Sequence, residues 1–443
     1  MRRSPRVEQD RLLRLRDPCH TPFLSAIGVP FRSIHMEQRT DGSNMKHRIV
    51  VLGAGYAGAF TAGHLARRLS PADTEITVVN AEPDFVQRLR LHQLAAGQQI
   101  AAPHLTDVFA GTGIRLRLAR VTAVDPERQV VAVADSDGDG EIGYDTLLYT
   151  LGSAVADHGV PGVAEHAFHV TSRPAALRLR GRLEDLREGG EVLVVGDGWT
   201  GIETAAEFAE SRPDLSVSLV ARDELGARLS PGARRHLRRV FDRLGVTVVE
   251  HTTIEAVEAT RAIGADGTVF ESDATVWTAG FAVNPIAAAS GLHVAENGQI
   301  LVDRTMRSVS HPNVYAAGDS VYAIGDNGRP LPMSCASAGY TGGQAMDAIV
   351  GRLTGSEIPN TKLVYPGNHI SLGRRDGILQ TVDDEGRPKP KYVGGRTAAR
   401  IKAGIVTTSL WAVSHPTFGL PKRQRRVVAA PVASRREGDR AAA

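Results

Sequence analysis

Two six-residue stretches carry the chemistry most plainly: Gly53-Ala54-Gly55-Tyr56-Ala57-Gly58 and Gly196-Asp197-Gly198-Trp199-Thr200-Gly201. Glycine at the first, third and sixth places has three separate physical uses. The first glycine permits a tight turn. The second lets the backbone approach a pyrophosphate, and the third lets a helix pack close to a strand. Phosphate oxygens then rest on the unpaired amides at the helix N-terminus. One such stretch is weak evidence, whereas two in one chain point to two dinucleotide sites. A third element, Asn313-Val314-Tyr315-Ala316-Ala317-Gly318-Asp319, is an apolar strand ending in Gly-Asp. Gly318 permits close approach, and the Asp319 carboxylate can accept a hydrogen bond from a sugar or ribityl hydroxyl.

The elements that must position these residues are written twice in the same order. Residues 47–52 read as a strand, 59–69 as a helix and 75–80 as a second strand. Residues 191–195, 202–210 and 216–220 repeat the pattern, and both copies close alike, on Tyr149-Thr150-Leu151-Gly152 and Trp277-Thr278-Ala279-Gly280. The repeat predicts an α/β fold with two βαβ nucleotide-binding units. Two such sites in one chain suggest a bound flavin and a diffusing nicotinamide.

Composition narrows the field. The chain has 443 residues, 42% hydrophobic and 23% charged, which excludes collagen-like, wholly disordered and disulfide-scaffold classes. Its two cysteines, Cys19 and Cys335, cannot build a disulfide framework or a four-cysteine metal site, and no metal is expected. No run of about 18 apolar residues is present to span a bilayer. The Arg-rich opening has no apolar stretch behind it, so a secretory signal is not expected and a cytoplasmic location is. The net charge is +3, but the surplus of Arg and Lys sits in residues 1–46 and 421–443, leaving 47–420 net negative. Residues 1–46 are expected to be a disordered extension or to precede the true start, and 421–443 a basic disordered tail. No motif supports nucleic-acid binding.

Through the two glycine stretches, Ile202-Glu203 and Tyr315-Ala316-Ala317-Gly318-Asp319, the chain resembles the FAD-dependent pyridine nucleotide-disulfide oxidoreductase superfamily over about residues 47–350. Within it the chain is most similar to the branch of type II NADH dehydrogenases. The resemblance implies two Rossmann-like, three-layer ββα dinucleotide-binding domains, the NAD(P)H domain inserted in the FAD domain, plus a C-terminal segment. The corresponding boundaries are 47–160 and 284–355 for the FAD domain, 161–283 for the NAD(P)H domain and 356–420 for an interface or cap segment. It implies FAD on Gly53, Ala54, Gly55, Tyr56, Ala57, Gly58, Gly152, Gly318 and Asp319. Val121 would lie by the adenine, and Asn80 stands where an acid usually binds the adenosine ribose. NADH or NADPH would lie on Gly196, Gly198, Thr200 and Gly201, with Glu203 and Gly280 near the nicotinamide half.

Departures from the family pattern bear on function. No cysteine pair follows the first glycine stretch, which excludes disulfide reductase chemistry. Residues 332–340 are small where quinone-reducing members carry glutamines, which argues against a quinone acceptor. Ala221 replaces the acid that would bind an NADH 2′-hydroxyl, and Arg222 beside it can take a 2′-phosphate, so the balance leans to NADPH or mixed use.

The expected reaction passes hydride from a nicotinamide to bound flavin, then electrons to a small-molecule or redox-protein acceptor. Respiratory NADH:quinone reduction, a low-turnover redox sensor and a flavin monooxygenase of secondary metabolism are the alternatives. No catalytic residue is assigned firmly. Arg90 is a candidate to offset charge on a reduced flavin, and His92 a candidate to exchange a proton near neutral pH. The other reading of 85–93 is an amphipathic helix with Arg88 and Arg90 exposed. Residues 397–413 read as an amphipathic helix. It packs on the domains, meets a second copy in a homodimer, or rests peripherally on the inner face of a membrane.

Overall fold

Ile49, Val50, Val51 and Leu52 are all buried, as are Val192, Leu193, Val194 and Val195. Such continuous apolar runs cannot serve strands with one wet face; they belong in parallel sheets covered on both sides. The computed structural model describes residues 45–419 and 424–428. The expectations for 1–44, Cys19 among them, and for the rest of 421–443 lie outside the described residues. In chain order the strands of the two main parallel sheets are β1 (His47–Leu52), β2 (Thr74–Asn80), β3 (Ile114–Leu118), β4 (Thr146–Tyr149), β5 (Glu191–Val195), β6 (Ser216–Val220), β7 (Thr247–Val249), β8 (Ala274–Trp277) and β9 (Val314–Ala316). They form two sheets, ordered β9-β4-β1-β2-β3 and β7-β6-β5-β8. The first sheet takes β9 from beyond the second, so the second unit is inserted in the first.

The repeat extends past the parallel strands. Each unit carries a wing of three antiparallel strands: Arg120–Asp125, Val130–Asp135 and Gly138–Gly143 in the first, Ile254–Val257, Arg261–Gly264 and Val269–Glu271 in the second. Two helices cover the β1–β2 and β5–β6 crossovers, α1 (Tyr56–Arg68) and α2 (Trp199–Ser211). Both start three residues earlier than the pattern of apolar residues indicated. Gly55 and Gly198 are the extended N-cap residues, so the third glycine of each turn is already inside its helix.

Helix α3 (Cys335–Thr354) follows β9. The Ser334 hydroxyl caps it by accepting from the Ser337 amide at 3.1 Å, and Gly355, at φ +66°, ends it. It packs on α1 through small residues, with Thr61 Oγ1 donating to the Gly342 carbonyl at 3.3 Å. The C-terminal segment is a small antiparallel sheet of β10 (Gly367–Ser371), β11 (Gly377–Thr381) and β12 (Val393–Gly394), then α4 (Gly395–Ser414). Asp376 fastens this sheet to the second unit. It accepts from His236 Nε2 at 2.7 Å and from Arg243 at 3.0 Å. Burial opposes ionisation of Asp376, yet these bonds hold its carboxyl below the usual carboxylate range. No helix among the described residues is long and apolar enough to cross a membrane.

One expectation is corrected within the described residues. Residues 424–428 are laid along the end of α1 rather than left as tail. The Arg425 amide donates to the Arg68 carbonyl at 2.8 Å, and Arg426 pairs with the buried Asp73 carboxylate at 2.6 Å. A buried carboxylate needs a partner, and the basic cluster supplies it.

Candidate functional site

The first glycine turn is over-determined by its backbone. Gly53 sits at φ +92°, and a Cβ there would lie 2.6 Å from the Thr150 carbonyl oxygen. A Cβ on Gly58 would fall on the Gly53 carbonyl. Around Gly55 nothing lies within 4 Å, so this glycine faces open space where a pyrophosphate can approach. Helix α1 has no side-chain cap and no acid in its first turn, which leaves its N-terminal amides for an anion. The second turn repeats this arrangement. Gly196 is at φ +110°, a Cβ on Gly201 would fall on the Gly196 carbonyl, and Gly198 faces open space.

Both turns open into one cavity of about 1580 Å³, larger than the roughly 300–1,000 Å³ of an ordinary ligand pocket. Its wall includes Gly53, Gly55, Tyr56, Ala57, Asn80, Val121, Gly152, Gly318 and Asp319 from the first unit. Gly196, Gly198, Thr200, Glu203, Arg222 and Gly280 line it from the second. These residues fit two dinucleotides: two glycine cradles that a Cβ would fill, two uncapped helix N-termini, and a carboxylate at Asp319. Ala54, Gly58 and Gly201 stand behind the wall. Asn80 is a brace of the first turn, its Oδ1 accepting from the Ala54 amide at 2.9 Å and its Nδ2 donating to the Glu82 carbonyl at 2.7 Å.

The segment 88–92 departs from both readings made of it. It is a short 3-10 turn, Arg88–Arg90, followed by a helix, Leu91–Ala95. Arg90 turns to Gln93, donating to its Oε1 at 2.7 Å, and stays out of the cavity wall. Arg88 enters the wall instead. Its guanidinium donates to the Ser153 carbonyl at 2.6 Å, and the Ser153 hydroxyl donates to Asp319 Oδ2 at 2.6 Å. His92 also lines the cavity, but burial pushes its imidazole down to about 3 and its Nε2 has no partner among the described residues. It is neutral near pH 7 and has no proton to give there, which corrects the role expected of it. Cys335 is the first residue of α3 and faces the cavity near Asp319. Burial pushes its thiol up to about 12, so Cys335 is not a thiolate nucleophile near pH 7.

The residue missed from sequence is Lys402. It lies on the buried side of α4, 8% exposed, ion-paired to Glu203 of α2 and donating to the His369 carbonyl at 2.9 Å. Glu203 also accepts from the Ser371 amide at 2.8 Å. Burial pushes the Lys402 ammonium down to about 7. Ile405, Val406 and Ser409 of α4 continue this wall. A signal existed: among 6 lysines and 46 arginines, this lysine alone falls in an apolar helical stretch, and burial favours the group that can shed its proton. At the far end of the second unit, Ala221 is buried, Arg222 is exposed on the cavity rim, and Arg228 lies 4.6 Å over the Trp199 ring.

Comparison with known proteins agrees with this geometry. The sequence pattern of the pyridine nucleotide-disulphide oxidoreductases matches residues 47–342. The chain is similar to the demethylphylloquinone reductase NdbB of Synechocystis, 24% identical over 76% of this chain and 87% of that protein. It is similar also to the type II NADH:quinone oxidoreductase of Staphylococcus aureus, 25% identical over 83% and 96%. In fold it matches NDH2 from Plasmodium falciparum in complex with NADH, with a TM-score of 0.71, 15% identity, and 84% and 97% coverage.

Proposed function

Because the chain belongs to the pyridine nucleotide-disulphide oxidoreductase family, we propose a residue assignment and an acceptor for what is an FAD-dependent NAD(P)H oxidoreductase. FAD would be held by the Gly53–Gly58 turn, with Asp319 toward its ribityl chain and the wall at Val121 beside its adenine. NAD(P)H would lie on Gly196, Gly198 and Gly201. When bound, FAD supplies the redox chemistry, taking hydride from the nicotinamide and passing electrons on. The protein holds the partners in register.

The acceptor we assign is of quinone type. The observation that carries this is the Lys402–Glu203 pair in the cavity wall, backed by apolar Ile405 and Val406. Reducing a quinone creates two O–H bonds, so its site needs a group that holds a proton near neutral pH and an apolar wall for the ring. Lys402, with its ammonium lowered to about 7, is such a group. The glutamines absent from 332–340 are not required, because α4 supplies the polar atoms from another wall. The quinone chemistry named for both curated relatives supports this reading. On the nucleotide side, Ala221 carries no acid and exposed Arg222 stands on the rim with Asp223 3.6 Å away, which favours NADPH or mixed use.

We further assign the outward side of α4 to a membrane surface. Ile401 and Trp411 are exposed on it, Phe418 follows, and the exposed Arg396 and Arg400 lie at its start. The deciding experiment is anaerobic: bleach the flavin of purified protein with NADH and with NADPH, then offer menadione and ferricyanide. Reoxidation by menadione supports the quinone assignment, and reoxidation by ferricyanide alone refutes it. Flotation with anionic vesicles, abolished by Ile401→Glu and Trp411→Glu together, tests the membrane face.

A further inference from the structure

We propose that Glu207 is a proton relay joining the Lys402–Glu203 pair to solvent at the C-terminal end of α2; this rests on the acceptor being a two-proton carrier of quinone type. Glu203, Glu207, Glu210 and Ser211 fall at spacings of three and four on α2, so they share one stripe. The stripe starts in the cavity wall at Glu203. One turn on, Glu207 is fully buried. Its Oε1 accepts from Gln98 and from the Ser211 hydroxyl at 3.1 Å, and its Oε2 has no partner among the described residues. One turn further, Arg374 reaches the end of the stripe. Its Nε lies 3.8 Å from Glu207 Oε1 and 3.1 Å from Glu210 Oε2, and its side chain is half-exposed.

A carboxylate in such a place is expensive unless it is neutral or firmly paired. Both hydrogen-bonding partners of Glu207 are neutral, and Arg374 stands beyond hydrogen-bond reach. The charged groups around it are Glu203 and Glu210 on its own helix, Arg374 from the turn before β11, and Lys402 of α4 across Glu203. Burial raises its pKa, which favours the protonated acid. A protonated acid with one free oxygen can give its proton toward the cavity and take another from the surface.

The overall reaction demands such a path. Two electrons from a nicotinamide C–H bond reduce two quinone oxygens, and two O–H bonds form. The nicotinamide contributes one proton equivalent with its hydride, so one more proton enters from solvent in every turnover. The α2 stripe has one end in the cavity wall at Glu203 and the other beside half-exposed Arg374, so it offers a route for that proton from solvent.

The test is Glu207→Gln in FAD-loaded protein. It keeps the shape and the bonds to Gln98 and Ser211 but carries no exchangeable acid proton. Bleaching of the flavin by NAD(P)H and turnover with ferricyanide, which takes electrons without protons, are expected to be unchanged. Menadione turnover is expected to fall about tenfold or more, with a larger solvent deuterium isotope effect. Glu207→Asp, which still titrates, should recover part of the rate. Infrared difference spectra provide a readout apart from activity: a carboxylic acid C=O band that shifts on transfer to D2O, present in the resting protein and missing from Glu207→Gln. Equal loss with both acceptors, no loss with menadione, or no exchangeable band overturns the relay. If the unaltered protein fails with menadione, the quinone reading falls, and the infrared band still decides whether Glu207 carries an exchangeable proton. If Glu207→Gln does not fold, the band in the unaltered protein and the Glu207→Asp rates decide.

Discussion

In both glycine turns a Cβ on the third glycine would fall on the first glycine's carbonyl. In both, a threonine hydroxyl clamps the strand end. Thr150 donates to Leu52 at 2.7 Å and Gly53 at 3.1 Å; Thr278 donates to Val195 at 2.8 Å and Gly196 at 3.1 Å. The difference lies one strand away. At the end of β2, Asn80 ties the first turn down through the Ala54 amide. At the corresponding end of β6, Ala221 offers no such tie, and Arg222 is exposed beside it. The helices differ too: α1 contains no carboxylate, whereas α2 carries Glu203, Glu207 and Glu210. One scaffold, built twice, has been loaded for two purposes. A braced turn with a helix free of carboxylates suits a cofactor that stays. An unbraced turn with Arg222 on its rim suits one that comes and goes, and its carboxylate-bearing helix is the one to which the proton relay is assigned.

The strongest way to break that comparison is to place the same methyl group in each turn. The intruding Cβ meets backbone, which cannot swing aside, so the cost exceeds the 1–3 kcal/mol (roughly) of ordinary overpacking. Gly58→Ala is expected to yield protein without yellow colour. Gly201→Ala is expected to keep its flavin but resist bleaching by NAD(P)H. Flavin absorbance after purification and an anaerobic nucleotide titration read both. Loss of flavin from Gly201→Ala would show that the two turns are not independent.

Glycine turns were legible in sequence because their constraint is local: a residue without a Cβ, at fixed spacing, between a strand and a helix. The repeat, the strand ends and Asp319 facing the cavity follow from the same locality. Burial is different, because it belongs to the tertiary structure. Nothing near His92 in sequence shows that its ring is sealed from solvent, nor that the charge of Lys402 lies near it from another segment, so its lost basicity could not be read. Arg88 and Arg90 are two residues apart on one 3-10 turn, and only the packed structure decides which reaches Ser153. The Lys402–Glu203 pair joins residues 199 apart. Its sole local trace is a lysine in an arginine-dominated chain.

Next in size is the second turn's own pair. Lys402→Met leaves Glu203 buried without its partner, a change that typically costs about 3–5 kcal/mol, so the melting temperature should drop clearly. The pH profile is the sharper measure. Lys402 holds its proton below about 7 and loses it above, so menadione turnover should fall as pH rises through that value. Lys402→Met should flatten that limb and leave ferricyanide turnover level. Smaller again is the nucleotide rim. Arg222 is exposed, so its bond to a 2′-phosphate is at the weak end of charged hydrogen bonds, about 1.5 kcal/mol, or roughly tenfold in Kd. Arg222→Ala should weaken NADPH by that factor and leave NADH alone. Equal effects on both nucleotides would move the 2′-phosphate elsewhere.

The smallest expected effect tests the brace itself. Asn80→Asp keeps an oxygen for the Ala54 amide and loses only the Nδ2 bond to Glu82. A neutral hydrogen bond of that kind contributes about 0.5–1.5 kcal/mol, and the new carboxylate can accept from a ribose hydroxyl. FAD affinity should therefore shift only a few-fold. Asn80→Ala removes the tie to the turn and should shift it more, toward the looser hold of the second turn. Flavin release followed by fluorescence separates the two variants. If both lose FAD equally, the donor to Glu82 rather than the tie to Ala54 holds the first turn. The contrast between a braced and an unbraced site would then have to rest on the helices alone.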